Sequence, residues 1–572
     1  MVHEGGPRPG AANGPAGGLA AEAWITRLDP PLHGASSGPL AGLRFAAKDN
    51  IDVAGVPTTA ACPAFARTPD VHAAVVRRLL DAGASLLGKT NLDQFACGLN
   101  GTRSPYGAVP NSFDARCVSG GSSSGSAYVV ATGQADFALG TDTAGSGRVP
   151  AGLNNIVGIK PSRGLVSARG VVPAAQSVDC VSIFARTVGL AARVLQTAMG
   201  FDAEDPYARQ LTLATQALPA RFRFGVPSAP RFFGEAFSAA AFERAIEQMR
   251  ALGGAPVAVD YAPLAAAAAL LYDSALVAER YAAVRDFFDG HEAEVLEPVR
   301  SILAQGRNYS AADYVDARTR LHALGQRAGA MWRDIDVLLV PTAPTHCTIA
   351  AMQADPVALN RALGEYTNFV NLLDYAAISV PSSLRADGLP FGITLIGRSG
   401  SDFQLAELGQ RFHHATGLAL GATGEPMPAP EALPVIAPAA TARVAVVGAH
   451  LSGMPLNAQL TERGACLRAA TETAPVYRLY ALPGTVPPKP GLVRVAPGEG
   501  AAIAVEVWEM PLAHYGGFVA LVPSPLGIGS ILLADGSSVQ GFLCEAAALA
   551  GAADITPHGG WRAFIASSGA IA

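Results

Sequence analysis

Cysteine is scarce and irregularly spaced in this sequence, which has 7 cysteines among 572 residues. No two of them form a C-x-x-C pair, so the sequence indicates neither a zinc site nor a disulfide framework. We therefore expect no bound metal. A reducing, cytoplasmic compartment is the simplest one for such a chain.

An excess of positive charge is also lacking, because 46 Asp and Glu residues outweigh 41 Lys and Arg residues, for a net charge of −5. Proteins that bind nucleic acid concentrate positive charge on one face, so we expect no nucleic-acid partner. Half of the residues are apolar and 15% are charged, which is typical of a well-packed globular protein. A chain of 572 residues is too long for one core and predicts two or more domains.

Long hydrophobic runs are missing as well. The most apolar run, residues 264–271, is far too short to span a bilayer. Residues 1–7 lack the basic start and the apolar core of a signal peptide. We therefore expect no association with a membrane.

What the sequence does contain is an alternation of short apolar strands and helices after a Gly-, Ala- and Pro-rich arm at residues 1–20. The alternation predicts an α/β core with a mixed sheet covered by helices. Residues 236–330 are predicted to be helical. The predicted strands are 43–47, 85–88, 137–140, 336–341 and 391–396, and the predicted helices of the first part are 73–82 and 126–132.

A second, smaller domain is predicted after residues 421–442, which are rich in Pro and Ala and have almost no periodicity. Residues 443–572 show short strands separated by Gly and Pro turns, beginning with a strand at 444–447. We therefore expect an α/β domain at 21–420, a linker at 421–442 and a strand-rich α+β domain at 443–572.

Ser146 is a candidate nucleophile, because it lies in a glycine-flanked turn directly after the predicted strand 137–140. A reactive serine needs backbone N–H groups nearby that stabilise the oxyanion of the tetrahedral intermediate. We assign that role to the main chain of Thr143, Ala144 and Gly145, together with Ser146 itself. An ordinary structural turn is the alternative.

Lys48 and Ser122 could activate Ser146. A lysine acts as a base only when burial lowers its pKa far below about 10.4, and the apolar residues before Lys48 are consistent with a buried strand end. Ser122 lies in a glycine-rich segment and could relay a proton from Ser146 to the amine. A surface lysine and a turn serine are the alternatives for this pair.

These pieces resemble the signature of the amidase signature family. Residues 120–125 read Gly-Gly-Ser-Ser-Ser-Gly, residues 140–148 read Gly-Thr-Asp-Thr-Ala-Gly-Ser-Gly-Arg, and Lys48 is followed by Asp. Ser122 and Ser146 have the 24-residue spacing of the family's relay and nucleophile. The resemblance covers roughly residues 22–420 and includes further motifs at 88–91, 158–161 and 388–392. It implies a Ser-Ser-Lys amidase in which Lys48 is the base, and it implies no cofactor.

One motif competes with this interpretation. Residues 83–90 match the G-x-x-x-x-G-K-[ST] pattern of a phosphate-binding loop. Such a loop follows a strand and opens a helix, whereas here a predicted helix precedes the motif and residues 85–88 are themselves the predicted strand. We therefore expect no nucleotide binding at this motif.

Residues 445–457 are similar to the start of the C-terminal domain of the allophanate hydrolase family, which resembles γ-glutamylcyclotransferase-like folds. The family's tyrosine and arginine, eight residues apart, match Tyr272 and Arg280. Arginine can hold a carboxylate through two parallel hydrogen bonds, and on an unbroken helix this spacing would bring both side chains to one pocket. A surface Arg280 that pairs with Glu279 or Asp286 is the alternative, and Arg285 is the other candidate.

The resemblance implies hydrolysis of allophanate (urea-1-carboxylate) to ammonia and carbon dioxide in urea nitrogen catabolism, through an acyl-serine intermediate. It suggests a homodimer and a functional link with a urea carboxylase. It matches His450 to a residue that assists the later decarboxylation, although a core histidine or a domain for assembly is also possible. Rival functions are an amidase for another small carboxylated amide, a larger amide or a misacylated tRNA, and a non-catalytic scaffold subunit.

Overall fold

The computed structural model describes residues 19–214, 217–434 and 441–568 of the chain. Of the predicted arm at 1–20, only the last two residues lie among them. The chain divides into two compact units, residues 1–436 and 437–572, and this division falls within the predicted linker 421–442. Within that stretch, the carbonyl oxygen of Glu431 accepts a hydrogen bond from Gln410, so residues before the division pack against the larger unit.

The described part of the larger unit consists of one mixed sheet and the helices around it. Its strands are β1 (Trp24–Leu32), β2 (Arg44–Lys48), β3 (Ser85–Thr90), β4 (Phe137–Asp142), β5 (Val157–Lys160), β6 (Cys180–Ala185), β7 (Phe222–Pro227), β8 (Gly254–Val259), β9 (Val337–Pro341), β10 (Tyr375–Leu384) and β11 (Pro390–Arg398). Its helices are α1 (Ala74–Asp81), α2 (Ser124–Ala131), α3 (Val149–Leu153), α4 (Val188–Ala198), α5 (Ala236–Ala251), α6 (Ala262–Asp273), α7 (Ala278–His291), α8 (Val299–Gln305), α9 (Ala311–Gly329), α10 (Ile349–Ala354), α11 (Ala358–Leu363), α12 (Asn368–Leu372) and α13 (Asp402–Ala415).

The strands of this sheet follow the order β1-β3-β2-β4-β6-β5-β10-β11-β9-β7-β8. β2 pairs in parallel with both β3 and β4, whereas β4 pairs antiparallel with β6. The central strands carry apolar side chains that are fully buried, and Phe45 of β2 stacks on Phe137 of β4 with ring centroids 5.3 Å apart. The carboxyl ends of β2, β3 and β4 therefore meet at one edge of the sheet, which is where ligands bind in open α/β sheets.

The smaller unit is rich in strands. In its described residues it contains β12 (Thr441–Val446), β13 (Cys466–Glu472), β14 (Tyr477–Ala481), β15 (Pro490–Arg494), β16 (Ala504–Pro511), β17 (Leu526–Leu532), β18 (Ser538–Cys544) and β19 (Ala553–Asp554), with α14 (Ala458–Thr461), α15 (Leu512–Val519) and α16 (Trp561–Ser568). Five strands form a sheet in the order β13-β16-β12-β18-β17, and three form another in the order β15-β14-β19. The predicted mixed α/β fold with a smaller strand-rich domain is confirmed.

Two predictions about the segment 236–330 are wrong. The segment contains the strand β8, because residues 254–259 pair in parallel with β7 and complete the edge of the sheet. It also contains no unbroken helix between Tyr272 and Arg280. α6 ends at Asp273, Ser274 has extended backbone and caps a short 3-10 turn at Ala275–Val277, and α7 then begins at Ala278.

The phosphate-loop motif at 83–90 lies mainly in β3, which ends at Thr90, with α1 before it. Lys89 is buried and its Nζ lies 3.1 Å from Asp49 Oδ1, so the motif's lysine forms an internal ion pair. The strand–loop–helix order of a phosphate-binding loop is therefore not formed at this position.

Among the described residues, no single helix has the length and apolar composition needed to cross a membrane. Only as a bent pair, with an angle of 53° between them, do Ala262–Asp273 and Ala275–Glu294 reach that length and composition.

Candidate active site

The parallel pairing of β2 and β4 creates the site. Lys48 is the last residue of β2, and the loop at 143–148 leaves the neighbouring strand β4 at the same edge of the sheet. Ser122 lies just before α2, which packs against β4. Residues that are far apart in the sequence thus meet beside Lys48.

Lys48 is fully buried, and its Nζ lies 2.7 Å from Ser122 Oγ and 2.8 Å from Thr141 Oγ1. Burial lowers the pKa of Lys48 to about 7, against the opposing effect of Asp93, Asp142 and Asp179. A lysine of this kind exchanges its proton near neutral pH and can act as a base.

Ser146 is buried in a turn whose backbone depends on glycine. Gly145 has a φ of +150°, and a Cβ added to it would collide with the Thr367 side chain. Ser146 Oγ donates its one hydrogen bond within the described residues to the Gly98 carbonyl oxygen, at 3.4 Å. The structure therefore brings Lys48 and Ser122 into contact, and it leaves Ser122 and Ser146 without a hydrogen bond to each other.

The loop between β4 and Ser146 presents free backbone donors. Thr143, Ala144 and Gly145 are buried, and within the described residues their N–H groups and that of Ser146 make no backbone or side-chain hydrogen bond. Such N–H groups are the donors that an oxyanion requires.

A buried ion pair closes the end of this loop. Arg148 Nε lies 2.9 Å from Asp142 Oδ2, both side chains are fully buried, and Asp142 also accepts the N–H of Gly147. Both residues stand within the signature motif, but the sequence pattern assigned neither of them a role. Their opposite charges, six residues apart around the turn, were the available signal.

Thr141 and Asp179 are two further residues that sequence reasoning missed. Thr141 contacts the Lys48 amine, and Asp179 Oδ1 accepts the Thr143 hydroxyl at 2.5 Å. Burial raises the pKa of Asp179 to about 6. Thr141 stands within the Gly-Thr-Asp motif and could have been found there. Asp179 lies 36 residues from Thr143, and no local pattern marks it.

Tyr272 and Arg280 come together across the break between α6 and α7. Arg280 Nη2 lies 3.4 Å from Tyr272 Oη, and the guanidinium carbon lies 5.2 Å from the centre of the tyrosine ring. The two side chains meet because the chain changes direction at this break. They do not lie on one unbroken helix.

Arg280 is only 3% exposed, yet its Nε and Nη1 have no hydrogen-bond partner in the described part of the chain. It is not the surface arginine of the alternative interpretation. Glu279 instead accepts hydrogen bonds from Ser177 and Tyr314. Arg285 is 61% exposed and pairs with Asp286. A buried guanidinium with free donors suits a planar anion such as a carboxylate.

His450 lies in the smaller unit, on the wall of a cavity of about 240 Å³. Its ring stacks on Phe542 with centroids 5.1 Å apart, and Nε2 lies 2.9 Å from Gln459 Oε1. Burial lowers the pKa of His450, with Gln459 opposing this effect. The residue is thus partly a packed aromatic and partly a polar group facing a cavity that also has Lys489 on its wall.

Across 19–214, 217–434 and 441–568, no group of three or more His, Cys, Asp or Glu side chains is arranged to hold a metal ion.

Comparisons with known proteins agree with the division into two units. A family model described as Amidase matches residues 19–406, and one described as Allophanate hydrolase C-terminal domain matches residues 442–566. The chain is 44% identical to a urea amidolyase of Lachancea kluyveri over 92% of this chain and 30% of that protein. The chain therefore spans less than a third of the length of that relative.

Two further relatives are matched over most of their own length. The solved structure of Kluyveromyces lactis allophanate hydrolase is similar with a TM-score of 0.70 and 42% identity, over 93% of this chain and 89% of that one. A glutamyl-tRNA(Gln) amidotransferase component from Nostoc sp. is 33% identical over 67% of this chain and 86% of that protein.

The protonation state of Lys48 generates a pH prediction. Because the neutral amine is the form that accepts a proton, the reactivity of Ser146 should rise as pH increases through about 7 and level off above it. The measurement is the rate at which a sulfonyl fluoride modifies Ser146 between pH 5 and 10. Lys48→Arg keeps the charge at every pH and should remove the rise. A rate that begins to rise only above pH 9 would contradict the lowered pKa.

Proposed function

Because the chain belongs to the amidase family and carries an allophanate hydrolase C-terminal domain, we propose that it hydrolyses allophanate and releases ammonia. The observation that carries the proposal is the buried Arg280, whose free N–H groups lie beside Tyr272 in the unit that also holds the Lys48–Ser122 contact. A substrate with a carboxylate at one end and an amide at the other fits these two features.

The proposed chemistry is acyl transfer to Ser146. Neutral Lys48 accepts the proton of Ser122, which accepts the proton of Ser146, and Ser146 Oγ bonds to the terminal amide carbon. This requires Ser146 to exchange its contact with Gly98 for one with Ser122 when substrate binds, in keeping with the tightening of catalytic hydrogen bonds on substrate binding. The N–H groups of Thr143, Ala144 and Gly145 stabilise the oxyanion.

Collapse of the tetrahedral intermediate breaks the C–N bond, and the leaving nitrogen takes the proton that Lys48 holds and departs as ammonia. Water then attacks the acyl-serine, with Lys48 again receiving the proton through Ser122. The bond between the acyl carbon and Ser146 Oγ breaks, and the proton held by Lys48 returns through Ser122 to Ser146 Oγ. The product is N-carboxycarbamate, which loses carbon dioxide to give carbamate. Carbamate then breaks down to a second ammonia and a second carbon dioxide. Arg280 holds the carboxylate throughout, and Tyr272 contributes a hydroxyl.

A second part of the proposal concerns the smaller unit, where His450 assists the loss of carbon dioxide from N-carboxycarbamate. The support is the cavity of about 240 Å³, which brings His450 and the cation Lys489 to one space of small-molecule size. Assembly of two chains is the alternative role of this unit. A homodimer, a cytoplasmic location and a functional link with a urea carboxylase also stay predictions.

The experiment that tests the function measures ammonia release from allophanate, malonamate, acetamide and urea. We expect allophanate to be the best substrate and urea not to be cleaved. Ser146→Ala should abolish turnover of all substrates and leave the apparent melting temperature nearly unchanged. Cleavage of urea without cleavage of allophanate would refute the substrate, and turnover by Ser146→Ala near the wild-type rate would remove Ser146 from its role.

Arg280→Met should raise the KM for allophanate, because it removes the cation and keeps an apolar side chain of similar length. Loss of a buried, hydrogen-bonded charge typically costs about 2–5 kcal/mol of binding, or thirtyfold or more. Acetamide hydrolysis should change little. The melting temperature of the free protein should stay the same or rise, because an unpaired buried charge is removed.

Arg285→Met is the matched control on the same helix, because Arg285 is exposed and paired with Asp286. It should leave KM for allophanate unchanged. Equal losses on allophanate and acetamide in Arg280→Met would indicate damage to the fold and contradict carboxylate binding by Arg280.

His450→Gln should leave the first ammonia release unchanged and slow the appearance of carbon dioxide from N-carboxycarbamate. His558→Gln is the control, since His558 is an exposed histidine of the same unit that does not line the cavity. The two products are followed separately, by coupled ammonia assay and by carbon-13 NMR of the carboxylates. Unchanged carbon dioxide release would leave assembly as the role of this unit.

A further inference from the structure

We propose that Asp179 is a positioning residue for amide hydrolysis, which acts by holding Thr143 and thereby orienting the backbone donors of the oxyanion loop, residues 143–147. The proposal rests on the function proposed above and adds to it a residue that lies outside the signature motifs.

The Asp179 carboxylate accepts hydrogen bonds from Thr143 and from two backbone N–H groups of its own segment. Its Oδ1 accepts the Thr143 hydroxyl at 2.5 Å, and its Oδ2 accepts the N–H of Ala174 at 2.8 Å. The N–H of Ala175 lies 3.2 Å from each carboxylate oxygen. The carboxylate is thus oriented by two backbone N–H groups of its own segment, and the Thr143 hydroxyl is its contact with the oxyanion loop.

Thr143 is the residue at which the oxyanion loop leaves β4. The far end of the loop is held separately, because Asp142 Oδ2 accepts the N–H of Gly147 at 2.9 Å. Between the two anchors lie Ala144 and Gly145, whose N–H groups make no hydrogen bond within the described residues. Free donors keep one orientation only if the backbone on both sides is fixed, and Asp179 fixes the side that Asp142 does not.

The segment that contains Asp179 also reaches the carboxylate end of the proposed site. Ser177 donates from its N–H and its hydroxyl to Glu279, at 3.1 and 2.8 Å, and Glu279 directly precedes Arg280. The Arg280 guanidinium in turn lowers the pKa of Asp179, against the larger effect of burial. One short segment, 174–179, therefore contacts both the oxyanion loop and the start of α7.

Asp179 is assigned to positioning rather than to the chemistry itself. Among the described residues, its carboxylate makes no hydrogen bond to Lys48, Ser122 or Ser146, and Thr143 is the residue through which it reaches the oxyanion loop. Its loss should therefore affect the transition state, where the oxyanion forms, more than the binding of substrate.

The test compares two substitutions at Thr143. Thr143→Val keeps the shape and removes the hydroxyl, and Thr143→Ser keeps the hydroxyl. We expect Thr143→Val to lower kcat for allophanate about tenfold to a hundredfold, less than the loss of a whole oxyanion donor. KM and the binding of malonate, a carboxylate ligand that forms no oxyanion, should stay within about twofold. Thr143→Ser should restore kcat to within about threefold of the wild type.

Asp179→Asn tests the same contact from the other side. An amide has one acceptor oxygen and an NH2 group, so it cannot accept hydrogen bonds from the Thr143 hydroxyl and from the N–H groups of Ala174 and Ala175 together. Asp179→Asn should lower kcat to a similar degree, and adding Thr143→Val to it should cause little further loss, since both changes break one contact. This pair keeps the test decisive even if one single variant is poorly folded.

The proposal would be overturned by a kcat of Thr143→Val within threefold of the wild type, by equal damage in Thr143→Ser and Thr143→Val, or by fully additive losses in the double variant. A loss that appears equally in KM, malonate binding and melting temperature would assign Asp179 a purely structural role and would also overturn it. A wild-type protein that hydrolyses none of the amides would refute the proposed function instead, which separates the two failures.

Discussion

Burial of the Lys48 amine controls the chemistry that this site can perform. Lys48 can serve as a base near neutral pH only because burial lowers its pKa to about 7. Three carboxylates raise that pKa, and each is engaged elsewhere. Asp93 accepts the backbone N–H groups of Asn100, Gly101 and Arg103, Asp142 pairs with Arg148, and Asp179 accepts the Thr143 hydroxyl. The surrounding hydrogen bonds therefore keep the acids from forming an ion pair that would hold Lys48 in its charged form.

Two buried arginines differ in whether the fold itself supplies a carboxylate partner for their charge. Arg148 is matched by Asp142 and by further acceptors on α12 and the residue before it, so its charge is compensated inside the fold. Arg280 is also deeply buried but lacks a carboxylate partner within hydrogen-bond distance in the described residues. An uncompensated buried charge is costly. Its retention is explained if a substrate carboxylate completes it.

Much of the fold could be predicted from the sequence because its signals are local. The apolar strands that became β2 and β4 and the helix that became α1 follow from short patterns of residue type. The strand β8 was missed because the sequence around it is Ala-rich and its neighbour β7 lies about thirty residues earlier in the chain. The helix break at Ser274 was missed because a single capping serine within an apolar run is too weak a signal to predict the end of a helix.

The residue types of the candidate site and their order could be read from local motifs, since Ser122, Ser146 and Lys48 each stand in a short pattern of the chain. Which of these side chains are in contact depends on the packing of segments that are distant in the chain. Lys48 meets Ser122, 74 positions further along the chain, because β2 pairs in parallel with β4, and α2, which begins just after Ser122, packs against β4. Packing also brings Asp179 to Thr143, and it places no carboxylate within hydrogen-bond distance of Arg280 in the described residues. Local sequence patterns do not predict such contacts, because the partners are distant along the chain.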